Sequence, residues 1–101
     1  DKKKTKAFDE INLLVQAFPD SASAYAARAG MEEERQMLYL AEYDYSEAIM
    51  RDPTNTDYIL NRANILITLG KKAEARRDLE LLIRLGIPRA NLSDYFKRIG
   101  K

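Results

Sequence analysis

The fold of this chain is decided by two consecutive stretches, residues 19–52, PDSASAYAARAGMEEERQMLYLAEYDYSEAIMRD, and residues 53–86, PTNTDYILNRANILITLGKKAEARRDLELLIRLG. The second stretch repeats the pattern of the first with a period of 34 residues. Matching positions hold the same residue in the pairs Pro19/Pro53, Arg28/Arg62, Ala29/Ala63, Ala41/Ala75, Asp44/Asp78 and Ile49/Ile83. A fixed period of this length is typical of stacked helical hairpins, in which each hairpin leaves an apolar face for its neighbour to cover.

The composition is that of one helical, soluble domain. The chain has 101 residues, of which 46% are hydrophobic and 33% charged, with only 4 Gly and 3 Pro. Its net charge of +1 creates no strong field toward nucleic acid or an anionic membrane, so we expect no nucleic-acid partner. No apolar run approaches the roughly 20 residues that span a bilayer, so we expect no membrane insertion.

The residue types that serve most catalytic and metal sites are missing. The chain has no Cys and no His, and it shows no paired carboxylates, phosphate-binding glycines or zinc spacing. We therefore expect no enzyme activity, no cofactor and no metal ion. The compartment stays open between cytoplasm and periplasm, because the chain begins at Asp1 rather than Met. We expect Asp1 to mark a shortened or processed start, and we expect no signal peptide within the 101 residues.

Apolar spacings of three and four residues predict six helices. We expect a solvated, fraying start followed by helices at about 7–19, 22–35, 38–50, 56–69, 71–85 and 91–99. Asp20 or Ser21 is predicted to cap the second helix, and Thr54 or Asn55 the fourth. Local propensity allows the chain to continue as helix through Gln36, but the period aligns this residue with Gly70 and so predicts a turn at 35–37.

These residues in combination resemble the tetratricopeptide repeat (TPR) family. The first full repeat matches its pattern at Tyr25, Ala29, Gln36, Ala41, Tyr45, Ala48 and Pro53. The second matches at Ile59, Ala63, Gly70, Ala75, Leu79, Leu82 and Pro88, with the Pro one residue late. Ala7, Ile11 and Leu14 resemble the second helix of a repeat whose first helix is missing. The departures are Gln36 in place of the turn Gly and Leu82 in place of a small residue.

The resemblance implies an all-α fold, an α-solenoid of antiparallel helix pairs in a right-handed superhelix. We expect residues 1–101 to form a single domain with about two full repeats. Its parts are a half-repeat helix at 7–19, repeats at 22–53 and 56–88, and a capping helix at 90–100. The function it implies is a protein-interaction module that binds a peptide or helix on the concave face. The alternative is a repeat segment that mediates self-association or packing within a larger protein.

Carried onto this chain, the concave face gives a candidate partner-binding site. Its residues are Glu33, Glu34, Asp57, Leu60, Asn61, Asn64 and Ile67. The mixture of acid, amide and apolar side chains favours a basic or amphipathic partner segment. Ala26 and Leu60 occupy the positions where some family members carry Lys, so a clamp for a C-terminal carboxylate is not supported. The other interpretation is that these residues merely solvate the fold or pack against further repeats.

The charged residues support two further predictions. Arg28 and Asp44 lie 16 residues apart, as do Arg62 and Asp78, which predicts semi-buried ion pairs that fix the register of each hairpin. The alternative is that the arginines face a ligand carboxylate. We expect residues 32–34, three successive glutamates, to be a solvated helix end, since side chains about 100° apart cannot all bind one ion.

Two surfaces remain open in function. Tyr39 and Tyr43 share a helix face and either pack with wet hydroxyls or contact a partner. At the N-terminal edge, Phe8, Val15 and Phe18 form an apolar face through which we expect a homodimer to be possible.

Overall fold

The chain folds into six α-helices and one short 3₁₀ helix in the computed structural model, which describes residues 2–100 apart from the side chain of Lys4. The helices are α1 Lys2–Ala17, α2 Ala22–Glu34, α3 Leu38–Arg51, α4 Thr56–Thr68, α5 Lys72–Arg84 and α6 Ser93–Ile99, with the 3₁₀ helix at Arg89–Leu92. Residues 2–100 contain no β-strand. The predicted all-α fold is confirmed. None of these helices is long and apolar enough to cross a membrane.

The helices divide between two compact units, an N-terminal unit of residues 1–53 and a C-terminal unit of residues 54–101. In the N-terminal unit, α2 packs against both α1 and α3. Its buried apolar residues are Ile11, Val15, Ala24, Ala29, Ala41, Tyr45 and Ala48. Three of these alanines have no exposed surface, so the helices approach each other closely. Burial of this face, rather than helix propensity, supplies most of the stability of such short helices.

The C-terminal unit is built around the pairing of α4 with α5, and α6 packs against both. Its buried apolar residues are Ile59, Ala63, Ile65, Leu66, Ala75, Leu79, Leu82, Leu92 and Ile99. Apart from Ala63 and Ala75, these side chains are larger than the alanines at the centre of the N-terminal unit. The prediction that residues 1–101 act as one domain with two full repeats stays a prediction.

The same turn links the two helices of each repeat. Gln36 has a φ of 62° and Gly70 a φ of 79°, both in the left-handed region. In the first turn, the Met37 N–H donates to the Glu32 carbonyl (2.8 Å) and the Gln36 N–H to the Glu33 carbonyl (3.0 Å). Bonds of the same pattern end α4, and both turns are therefore Schellman motifs. The turn predicted at 35–37 is confirmed.

Helix boundaries differ from the prediction mainly at the two ends of the chain. The first helix begins at Lys2 rather than Ala7, so the predicted boundary is wrong, whereas the predicted exposure of this start is confirmed for Lys2, Lys3, Thr5 and Lys6. The last helix is preceded by a 3₁₀ turn from Arg89. The two predicted caps are confirmed, because the Ser21 side chain accepts from the Ala24 N–H and the Asn55 side chain from the Tyr58 N–H, both at 3.2 Å.

Candidate functional site

An ion pair joins α2 to α3 inside the N-terminal unit. The Arg28 guanidinium donates through Nε to Asp44 Oδ2 (2.7 Å) and through Nη2 to Asp44 Oδ1 (2.9 Å). A third donor, Nη1, reaches Asn12 Oδ1 of α1 at 3.2 Å. The Asp44 side chain is 2% exposed. Arg28 therefore connects all three helices of this unit.

The C-terminal unit repeats this pair between α4 and α5. Arg62 Nε lies 2.9 Å from Asp78 Oδ2, and Arg62 Nη2 lies 2.7 Å from Asp78 Oδ1. Two parallel hydrogen bonds fix the distance and the rotation of one helix relative to the other. The prediction of a register-fixing ion pair is confirmed for both hairpins. The alternative is wrong, because Nε and Nη2 of each arginine are held by an aspartate rather than directed at a ligand.

Glu32 lies beside the first of these pairs and is buried, with 6% of its surface exposed. Its pKa is raised from 4.5 to about 8, first by burial and then by a hydrogen bond to Asp44 and the charge of that carboxylate. The Arg28 charge opposes this rise of the pKa. The raised pKa favours the protonated Glu32 carboxyl, the form that can donate a hydrogen bond to Asp44. Among the described residues, Glu32 Oε1 is buried without a hydrogen-bond partner.

The prediction that Glu32 belongs to a solvated helix end is therefore wrong. Glu32 follows Arg28 by four residues, and residues four apart share one face of a helix. That face of α2 is the one that α3 covers. Its neighbours in sequence behave differently, since Glu33 is half-buried and Glu34 is exposed. No cluster of three or more acidic side chains within residues 2–100 is arranged to hold a metal ion.

The two predicted site residues of the N-terminal unit point to different neighbours. Glu33 accepts a long hydrogen bond from the Tyr45 hydroxyl of α3 (3.5 Å). Glu34 instead lines a cleft beside α1. Adjacent helical residues are about 100° apart, which accounts for this divergence. Glu33 and Glu34 consequently do not form one acidic patch.

The other five predicted site residues share one face of α4. Asp57 and Asn61 are exposed, and Leu60, Asn64 and Ile67 are half-buried. The core of the unit takes a different set of α4 residues, headed by Ile59 and Ala63. We name the set Asp57, Leu60, Asn61, Asn64 and Ile67 the α4 face.

The C-terminal segment of the chain limits the α4 face on one side. Arg98 of α6 donates through Nη1 to Asn64 Oδ1 at 2.7 Å, so one acceptor of this amide is already engaged. Near the start of α4, a small cleft of about 80 Å³ is lined by Thr56, Asp57, Leu60, Leu82, Ile87 and Leu92. The cleft combines one carboxylate with aliphatic side chains, which suits a single apolar side chain that lies next to a cation.

A larger cleft in the N-terminal unit was not predicted, although one predicted site residue, Glu34, lines it. It has a volume of about 340 Å³ and is lined by Ala7, Phe8, Met31, Glu34 and Arg35. The Arg35 guanidinium lies 4.6 Å from the centre of the Phe8 ring, within range of a cation–π interaction. The 34-residue period could not indicate this cleft, because α1 lies outside the two matched stretches. The available signal was Phe8 of α1 and Met31 of α2, two large apolar residues.

Comparison with known proteins establishes the fold of the whole chain. The TPR domain of OM64 from Arabidopsis matches 98% of this chain and 82% of its own, with a TM-score of 0.83 at 23% identity. The Yersinia enterocolitica type III secretion chaperone SycD, solved with a peptide of the translocator YopD, matches 97% of this chain and 75% of its own. Its TM-score is 0.77 and its identity 18%.

At the level of sequence, neither protein-family profiles nor curated proteins give a match. The likeness to these two structures is therefore one of fold. The chain therefore has the tetratricopeptide-repeat fold that its sequence resembles.

Proposed function

We propose that this chain is a non-catalytic protein-interaction module and that a peptide or helix of a partner protein binds along the α4 face. The observation that supports this most directly is the stripe of α4 that the core leaves free. Leu60 and Ile67 offer half-buried apolar surface next to the exposed Asp57 and Asn61. Such a mixture suits an amphipathic segment, since apolar contacts give affinity and polar groups fix its orientation.

The chemistry of the α4 face favours a basic partner segment. Asp57 is the only charged member of the face, and it borders the small cleft that Leu60 also lines. A Lys or Arg of the partner could pair with this carboxylate while an apolar neighbour enters the cleft. SycD, which has this fold, is known in complex with a peptide, and this likeness supports a peptide partner in general terms. The predicted contribution of Glu33 and Glu34 stays a prediction.

Selection from a random peptide library tests the proposal without a known partner. The probe is a phage-displayed library of 16-residue peptides, selected on the immobilised chain. We expect enriched peptides to combine Lys or Arg with Leu, Ile or Phe. Binding of these peptides should weaken about tenfold or more in Asp57→Lys, because the substitution turns attraction into repulsion.

A matched control lies on the opposite helix of the same hairpin. Glu74→Lys makes the same change of charge in the first turn of α5 and should leave peptide binding unchanged. Enriched peptides that bind parent and Asp57→Lys equally would place the binding surface elsewhere and overturn the proposal. Enrichment of acidic peptides would overturn its chemistry.

The alternative function is self-association through the N-terminal edge. Leu13 and Leu14 of α1 and Phe18, which follows this helix, are 64%, 46% and 59% exposed, which favours this possibility. The predicted edge residues fit less well, because Val15 is buried and Phe8 is half-buried against α2. Sedimentation velocity of Phe18→Ser tests the edge, since a homodimer formed there should dissociate in this variant.

A further inference from the structure

The outer face of α3 carries an apolar ridge that the fold does not cover. Tyr39, Tyr43 and Met50 are 67%, 60% and 70% exposed. Spacings of four and seven residues place them in one row along the helix. The buried residues of α3, Ala41 and Ala48 among them, occupy the opposite face. We name Tyr39, Tyr43 and Met50 the α3 ridge.

The second hairpin shows that the fold does not need apolar residues in these positions. One period later the same three places are held by Ala73, Arg77 and Arg84, which are exposed on the outer face of α5. We name Ala73, Arg77 and Arg84 the α5 ridge. Exposed aromatic and Met side chains lower solubility unless a partner covers them, and Tyr and Met are enriched in interfaces. The α3 ridge is therefore best explained as a contact surface.

The distribution of charge between the two units indicates what kind of surface binds the α3 ridge. Residues 1–53 contain seven Lys or Arg and eleven Asp or Glu, a net charge of −4. Residues 54–101 contain ten Lys or Arg and five Asp or Glu, a net charge of +5. Each unit thus carries the charge that attracts the opposite unit of a second molecule.

The two ridges are also complementary in their local chemistry. Glu42 and Glu47 flank the α3 ridge, and the Glu47 carboxylate lies 3.1 Å from Arg51 on the same helix. A guanidinium that stacks on a tyrosine ring gains a cation–π interaction, and a carboxylate beside the ring adds to the attraction. Arg77 and Arg84 of the α5 ridge are spaced by seven residues, the same distance that separates Tyr43 from Met50.

We infer that the α3 ridge of one molecule binds the α5 ridge of a second copy of this chain, in a head-to-tail contact. The contact is heterologous, so each molecule retains one free ridge after pairing. One helix ridge buries less than the roughly 800 Å² per partner of a standard interface, so the association should be weak. Since it depends on exposed charges, it should weaken as the salt concentration rises. The inference does not depend on the proposed peptide binding.

Sedimentation velocity of the whole chain from about 10 μM to 1 mM tests the inference. We expect reversible association at low salt and its loss at about 0.5 M NaCl, where charges are screened within a few ångströms. Tyr43→Arg places at the α3 ridge the residue found at the matching α5 position, and it should be monomeric. Arg77→Glu should be monomeric as well. Both positions are exposed, and an unchanged circular-dichroism spectrum verifies that each variant folds.

Mixing these two variants gives the decisive result. Tyr43→Arg keeps an intact α5 ridge and Arg77→Glu keeps an intact α3 ridge, so an equimolar mixture should associate although neither variant does so alone. A symmetric dimer through the α3 ridge predicts instead that Arg77→Glu dimerises on its own and that Tyr43→Arg does not join it, and this result would contradict the inference. A monomeric parent at every concentration would also contradict it. So would association that Phe18→Ser abolishes and the two ridge variants do not.

Discussion

The first hairpin, α2–α3, and the second hairpin, α4–α5, share an ion pair and a turn but place different side chains around them. In both hairpins, an arginine of the first helix donates two hydrogen bonds of 2.7–2.9 Å to an aspartate of the second helix. Beside this pair, the first hairpin buries Glu32 where the second buries Leu66. The turn is made by Gln36 in one and by Gly70 in the other.

This comparison separates what the repeat requires from what each copy has added. The ion pair and the left-handed turn are common to both, so they belong to the repeat. A buried carboxyl outside the ion pair, that of Glu32, and a non-glycine turn residue occur only in the first hairpin, and each is expected to cost stability there. Substitutions that exchange residues between the hairpins measure these costs directly.

The largest effect should come from removal of an ion-pair aspartate. Asp78→Ala leaves the Arg62 guanidinium partly buried without its partner, which should lower the free energy of unfolding by about 3 kcal/mol. Asp44→Ala should cost less, because Glu32 can then ionise and pair with Arg28. Urea denaturation followed by circular dichroism measures both values.

Glu80→Ala is the control, since this exposed residue follows Asp78 on the same helix. It should change the unfolding free energy by less than about 0.5 kcal/mol. Equal losses in Asp44→Ala and Asp78→Ala would show that Glu32 gives Arg28 no support.

The next effect is a dependence on pH that only the first hairpin should show. The pKa of Glu32 is about 8 in the folded chain and near 4.5 when exposed. Well below pH 4.5 the Glu32 carboxyl is protonated in both the folded and the unfolded state, so it does not lower the free energy of unfolding. As the pH rises from 4.5 toward 8, the unfolded state releases this proton and the folded state keeps it. The free energy of unfolding should therefore fall by roughly 1 kcal/mol per pH unit.

Glu32→Leu introduces the residue of the second hairpin and should remove this slope. The stability of the variant relative to the parent should therefore grow from pH 5 to pH 8, as measured by urea denaturation at each pH. Glu34→Gln changes an exposed carboxyl of the same helix and is the matched control. A constant difference between Glu32→Leu and the parent would contradict the raised pKa.

A smaller effect is expected at the two turns. Gln36→Gly should stabilise the chain by about 1 kcal/mol, because glycine enters the left-handed region without the steric cost that a side chain meets. Gly70→Gln should destabilise it by a similar amount. Differential scanning calorimetry measures whether the melting temperature of each variant rises or falls relative to the parent. Glu10→Gly, in the exposed interior of α1, should lower stability and so shows that the gain at Gln36 is specific to the turn.

The smallest effect concerns the helix caps, which the two hairpins share in function but not in residue. Ser21→Ala and Asn55→Ala each remove one bond to a helix N–H and should each cost about 0.5–1 kcal/mol. Urea denaturation at neutral pH measures them. Similar losses of unfolding free energy in the two variants would show that the hairpins differ in their buried residues and turns rather than in the N-caps of their first helices. Gln16→Ala, at an exposed position in the last turn of α1, serves as the control.

The sequence predicted the features that depend on local spacing. Helix positions follow from the three- and four-residue apolar steps, and the turn at Gln36 follows from its alignment with Gly70. The Arg28–Asp44 pair was predictable because the same types recur 34 residues later at the same separation. For the candidate site, the sequence placed five residues on one face of α4, since helical spacing alone fixes which side chains share a face.

Other features were not predictable because they depend on what packs against a residue. Glu32 reads in sequence as one of three solvated glutamates, yet α3 covers it and leaves Glu34 in water. Val15 was expected at an open edge and is buried against α2. The contact of Arg98 with Asn64 joins residues of two helices that no local pattern connects.

The sequence by itself determined the period, the helices, their turns and the partners within each hairpin. These follow from steric preference and from the regular geometry of the helix, which act over a few residues. Only the tertiary structure decided which carboxyl is desolvated, where α1 begins and which apolar side chains stay in contact with water. Burial is a property of neighbours brought from elsewhere in the chain, and it sets the pKa of Glu32 and leaves the α3 ridge exposed.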